Sequence, residues 1–223
     1  MIRRLGNAML ATGSSQVFWF LSLPLIGKLY TQEEVGIYGQ IIAYAGTIGL
    51  IIGARSDLAV LTSPPRAVPH TRSAFTKLAM LLILPVGAIA IMIGYASKNT
   101  VLEFPLFPAV LAGGYLANLF LLNGVSLVRS DDYASLRNTG LLRSAVQAII
   151  QLSASAFGLA GLVGGKLLGD LFGVLSRRIK LGGVTDKVKS GRSTLFNRRE
   201  KIALKRNIPA FKYSLPQSIV NAI

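Results

Sequence analysis

Cysteine is absent from this chain of 223 residues, and histidine occurs once, at His70. The first absence excludes disulfides, thiolate metal sites and cysteine nucleophiles; the second excludes a metal site built on two imidazoles. Acidic residues are scarce, 9 Asp and Glu against 24 Lys and Arg. There is no G-x-G-x-x-G, no Walker lysine loop, no G-x-S-x-G and no H-E-x-x-H. Nucleotide-driven work and ordinary hydrolysis therefore lack their usual carriers. The carboxylates Asp131 and Asp132 are read in two ways, as a helix cap in a solvated loop or as an acid/base pair. The sequence reads as a non-enzyme that calls for no cofactor and no metal.

What is present is apolar length. Hydrophobic residues make up 52% of the chain and charged ones only 15%, and the mean hydropathy is +0.54. That balance is too apolar for an ordinary soluble domain and predicts an all-α integral membrane protein. At about 20 residues per crossing, six spans fit and twelve do not. Apolar runs place them near residues 5 to 27, 35 to 61, 78 to 95, 104 to 128, 137 to 157 and 159 to 176, the last two turning near Gly158, Gly161 and Gly164. The first run resembles a signal peptide at its start, but Phe18, Trp19 and Phe20 lie deep inside it and no small-x-small cleavage site follows.

Charge sets the orientation. With six spans, every Lys and Arg except Lys28, Lys98 and Lys166 falls on the side of the N-terminus, Arg143 and the basic tail among them. The positive-inside rule makes that side cytoplasmic. The chain thus divides into a six-helix transmembrane lobe (1–176), a basic cytoplasmic linker (177–206) and the start of a further span (207–223). The linker holds 11 basic and 2 acidic residues, and Arg198, Arg199, Lys201, Lys205 and Arg206 fall on a short helix with Ile202 and Leu204. It predicts a segment drawn to anionic membrane lipid. Nucleic acid is not expected as a partner, since no reading module accompanies the charge.

Charges inside spans carry the most information, because a buried charge needs a partner, water or an interface. Arg55 and Asp57 lie in the second run. They read either as an arginine reaching the headgroups beside its acid, or as a cationic group at the inner mouth of a cavity, able to grip phosphate oxygens bidentately. Lys166 and Asp170 are four residues apart on one helix face, a pair that neutralises itself or an acid that takes up a proton during a cycle. Gly161, Gly165, Gly169 and Gly173 form a stripe for close helix approach, or a smooth seam on which helices slide. Asn118, Asn123, Gln147 and Gln151 serve either interhelical hydrogen bonds or a hydrophilic cavity wall.

Three stretches together resemble bacterial O-antigen and capsular polysaccharide flippases, the oligosaccharide-lipid branch of an exporter superfamily that also contains multidrug extruders. LPLIGKLYTQEEVGIYGQ, with Leu29, Tyr30, Glu34, Gly36 and Tyr38, is similar to the segment joining the first two spans. GARSDLAVL, with Arg55, Asp57, Ala59 and Val60, resembles the second-span pattern, departing from it at Ser56, where an aromatic is usual. RNIPAFKYSLPQSIVNAI resembles the entry to the seventh span.

The resemblance implies the N-terminal lobe of a two-lobed exporter in the bacterial inner membrane. Its cargo would be an undecaprenyl-diphosphate-linked oligosaccharide, moved outward by alternating access. Arg55 would contact the substrate phosphates with Asp57 orienting it, and Asn123 and Gln147 would line the cavity. A secondary multidrug exporter shares the architecture, and a membrane-embedded polysaccharide polymerase or ligase is a further alternative that the short outer loops disfavour. The partner would be a missing C-terminal lobe or a second chain, since a lone lobe would bare polar groups such as Asn118 and Gln151 to lipid. The stop at Ile223, inside an apolar segment, favours a fragment over a dimer.

Overall fold

A computed structural model of the chain describes residues 2–97, 106–181, 196 and 199–207. Helices α1 (Ile2–Leu29), α2 (Gln32–Gly53), α3 (Ser56–Thr62), α4 (Val68–Ser97), α5 (Phe107–Arg129), α6 (Tyr133–Ser153) and α7 (Leu159–Leu181) follow in order, with single 3-10 turns at Pro65–Ala67 and Ser155–Phe157. A further helix, α8, covers 199–207. No strand occurs among the described residues. The start of a seventh span expected at 207–223 lies, beyond Asn207, outside the described residues, as does most of the linker.

Local chemistry explains the boundaries. The turn between α1 and α2 is a capping box: the Glu34 amide donates to Thr31 Oγ1 at 3.3 Å, and the Thr31 amide donates back to Glu34 Oε2 at 2.9 Å. Thr31 and Glu34, within the stretch LPLIGKLYTQEEVGIYGQ, thus have a local structural role in this chain. Asp132 caps α6, accepting from the Ser135 amide at 3.0 Å, so the cap reading of that carboxylate holds. Gly158, with φ +54, makes the corner between α6 and α7, the two-helix hairpin expected from the glycines there.

The second run is not one helix. α2 ends at Gly53, and Ala54 and Arg55 both take left-handed backbone, φ 47 and 54, before α3 begins. The reason lies in packing. A β-carbon on Gly53 would stand 2.6 Å from Asn118 Oδ1 of α5, and one on Gly49 would stand 2.8 Å from the Gly114 carbonyl. α2 therefore rests directly on α5, and the corner re-aims α3 so that Ala59 and Val60 pack with Phe75 and Leu122. Left-handed backbone at a residue with a side chain costs about 1–2 kcal/mol, which this burial offsets.

The helices pair as α1 with α6, α6 with α7, and α2 with α5, while α4 covers α2 and α5. Ile26, Tyr30, Tyr38, Ile48, Ile52 and Leu162 form the main core. The outer surface is apolar too: Leu84 is 77% exposed, Met92 71% and Phe157 75%, a distribution consistent with a membrane location. Among the described residues four helices, α2, α4, α5 and α7, are long and apolar enough to cross a membrane, and α1 adds a shorter apolar stretch, Gln16–Leu29. The expected fifth span, α6, does not qualify by composition, since Arg137, Asn138, Arg143, Gln147 and Gln151 dilute it.

Candidate functional site: a buried charge cluster and two cavities

α6 and α7 are held at backbone distance by the glycine stripe. A β-carbon on Gly165 would lie 2.5 Å from Gln151 Cγ, one on Gly169 2.8 Å from Gln147 Cβ, and one on Gly173 3.2 Å from Arg143 Cβ. The stripe is a packing surface, and it sets the registry of everything polar between the two helices.

In that registry Asp170, 1% exposed and near the midpoint of α7, receives two cations. Arg143 Nε, from the midpoint of α6, meets Oδ1 at 2.5 Å, and Lys166 Nζ meets Oδ2 at 2.5 Å. The Lys166–Asp170 pairing is the one the spacing predicts. Arg143 is the residue that sequence reasoning missed. The charge count placed Arg143 and Lys166 on opposite sides, yet the two side chains meet at one carboxylate. A signal for Arg143 was available: 143, 147 and 151 fall at helical spacing on one face of α6 and match the 166, 170 spacing on α7.

Above the charges lies an amide and hydroxyl network. Gln151 Nε2 donates to the Tyr38 hydroxyl at 2.9 Å and to the Leu162 carbonyl at 2.9 Å. Gln147 Nε2 donates to Tyr38 at 3.3 Å. The Tyr30 hydroxyl donates to the Gln151 carbonyl; burial, and then the nearby Glu34 carboxylate, raise its pKa above the ordinary 10.0. Gln151 is 1% and Asn118 2% exposed. The expectation that this lobe bares them to lipid is therefore corrected: close packing of α2 on α5 and of α7 on α6 closes over both.

A cavity of about 400 Å3 opens beside the cluster, lined among others by Gln16, Phe20, Phe120, Arg143, Gln147 and Lys166. The Arg143 guanidinium lies 4.2 Å from the Phe120 ring centroid. Two cations against one carboxylate give this cavity a surplus positive charge, screened only in part because both side chains are half-buried. Glutamine amides and the Ser144 hydroxyl add neutral hydrogen-bonding groups. Such a lining suits an anionic, hydroxyl-rich guest.

The other expected site residues lie apart. Arg55 sits at the corner between α2 and α3, not within a continuous helix, and its Nε is 3.7 Å from Asp57 Oδ1. Arg55 and Asp57 line a smaller cavity of about 180 Å3 with Ser56 and Asn118. Ser56 Oγ donates to Asn118 Oδ1 at 3.5 Å, while the buried Asn118 Nδ2 has no hydrogen-bond partner. Gln147 belongs to the larger cavity, and Asn123 is buried in α5 and lines neither. The four residues that sequence analysis grouped thus fall in three places. No cluster of metal-ligating side chains occurs among the described residues.

Comparison of the chain with protein-family models, curated proteins and solved structures finds no match.

Proposed function

We propose that this chain is a six-span transmembrane lobe that carries an anionic, lipid-linked oligosaccharide across a bacterial inner membrane, its N-terminus in the cytoplasm and its cargo joined to an undecaprenyl carrier through a diphosphate. The observation that carries this reading is the placement of Arg143, Lys166 and Asp170, two cations to one acid, beside a cavity of about 400 Å3 at the middle of α6 and α7. An ionisable group at that depth marks a pathway by default, because burying it is costly without a function. A diphosphate is attracted by the surplus charge, and the oligosaccharide hydroxyls find glutamine and serine groups. In this reading Arg55, at the α2–α3 corner, is a second phosphate contact, with Asp57 as its orienting acid and Asn123 behind the wall.

The multidrug alternative calls for an acid available to a cationic drug. Asp170, the one deeply buried membrane-level carboxylate among the described residues, is already held by two cations. That weighs against cationic cargo.

The test is translocation of a fluorescent undecaprenyl-diphosphate oligosaccharide in vesicles containing the protein. Arg143→Gln removes the surplus charge yet leaves Asp170 paired with Lys166, so a loss of transport of about tenfold or more is expected with the protein still folded. Unchanged transport of the diphosphate lipid in that variant, or transport of cationic dyes lost on Asp170→Asn, would refute the reading.

A further inference from the structure

A second concave site lies away from the buried cluster. A cavity of about 400 Å3 opens between the turn at 63–67, the first residues of α4 and the helix α8. Arg66, His70, Arg199 and Arg206 line it, and no carboxylate does so among the described residues. The acid that α8 carries is engaged elsewhere: Glu200, 5% exposed, accepts from Ser73 Oγ at 2.6 Å and from Lys77 Nζ at 2.8 Å. That carboxylate latches α8 to α4 and leaves the arginines of α8 on the cavity.

The cavity floor is built rather than incidental. Ser63 and Thr71 are buried and share a hydrogen bond at 3.0 Å, and Arg129 Nη2 donates to the Ser63 carbonyl at 2.7 Å. Arg199 Nη1 lies 3.5 Å from His70 Nε2, a contact that uses one of the five N–H donors of a guanidinium. Three guanidinium groups around one concavity repel one another, and an anion between them reverses the sign of that interaction. The depth is also informative. α4 carries His70, Arg72 and Lys77 before its unbroken apolar run begins at Leu78, so the cavity sits where α4 leaves its apolar length, which on the proposed membrane reading is headgroup level. Ile202, 60% exposed, stands on the rim as an apolar neighbour.

We infer that this cavity binds the phosphate of an anionic phospholipid headgroup, with Arg66, Arg199 and Arg206 as donors and Ile202 against the acyl chains. Two of the three arginines come from α8 and one from the turn before α4, so lipid binding and the docking of α8 strengthen each other.

The test is retention of lipid by the purified full chain in detergent, read by native mass spectrometry. One phosphatidylglycerol per chain is expected to remain bound, phosphatidylcholine not, and inorganic phosphate at equal concentration is expected not to displace the lipid. Arg66→Gln with Arg206→Gln, both at exposed positions, should weaken retention roughly twenty-five-fold, at about a fivefold loss for each arginine near a lipid surface. Arg137→Gln, which removes one such charge from an exposed position of α6, should change nothing. Glu200→Gln is the decisive variant. It makes the protein more basic, so nonspecific attraction would strengthen, whereas loss of the latch should weaken retention severalfold. Equal binding of phosphatidylcholine, displacement by inorganic phosphate, an Arg137→Gln loss of about fivefold, as a single nonspecific charge would give, or a gain from Glu200→Gln would each overturn the inference.

Discussion

Arg143 and Asp170 meet at 2.5 Å although 27 positions separate them, and Lys166 occupies the other oxygen of the same carboxylate. The acid is the keystone of this group because it has two partners and each cation has one oxygen. Asp170→Asn leaves two half-buried cations facing each other and should cost about 3 kcal/mol. Arg143→Gln keeps an ion pair and should cost about 1 kcal/mol. Unfolding in a graded detergent series compares the two, and equal losses would contradict the asymmetry.

Adjacent glycines in α7 should respond in opposite directions. At Gly165 a β-carbon meets Gln151 Cγ at 2.5 Å and the Gln151 backbone nitrogen at 3.0 Å, and backbone cannot swing aside. Gly165→Ala should destabilise by about 1–3 kcal/mol. At Gly164 nothing lies within 4 Å, so Gly164→Ala gains up to about 1 kcal/mol from helix propensity. Thermal unfolding of the two variants side by side measures the difference in sign.

Ala54 closes α2 in left-handed backbone, its amide donating to the Ile51 and Leu50 carbonyls. Glycine keeps that amide and removes the strain, so Ala54→Gly should stabilise the protein by about 1 kcal/mol. Ala54→Val should destabilise it by a similar amount or more. A fall in stability on Ala54→Gly would mean that the corner is not strained.

Tyr30 gives the fold a dependence on alkaline pH. Its hydroxyl has a raised pKa in the folded chain, so the folded state holds that proton more tightly than the unfolded one. The stabilisation is complete below the ordinary value of 10.0 and is lost as pH rises from there through the folded value. Chemical unfolding measured on both sides of 10.0 should show the loss in the native protein and a flatter profile in Tyr30→Phe, which also forfeits the bond to the Gln151 carbonyl.

The sequence made the helices legible wherever apolar length and punctuation agreed. The run at 78 to 95 falls inside α4, Gly158 turns the last hairpin, and Lys166 and Asp170 pair as their spacing requires. The α2–α3 corner was hidden because Ala54 and Arg55 carry no turn signature; the contact of Gly53 with Asn118 imposes it from another helix. Arg143 was misplaced for a related reason. Charge counting assigns a residue to a side by sequence position, whereas its partner here is an acid that comes 27 residues later. Asn118 and Gln151 show the same limit, since their burial depends on which helices approach closely enough to cover them. Asn123 and Gln147 were joined to Arg55 and Asp57 as one cavity wall, and helix packing separates them from that pair and from each other.

The glycine seam between α6 and α7 also fixes a chronology. A ribosome makes Tyr38, Arg143 and Gln147 before it makes Gly165, Gly169 and Asp170, so α6 exists for a time with its arginine lacking this acid and Gln151 lacking one of its two acceptors. Only when α7 arrives, smooth enough to lie flat on α6, does the acid reach Arg143 and the Leu162 carbonyl reach Gln151. The central polar group is therefore completed only once α7 has been made. A bulky residue in the seam would act as a delay in assembly as well as a defect in the finished molecule.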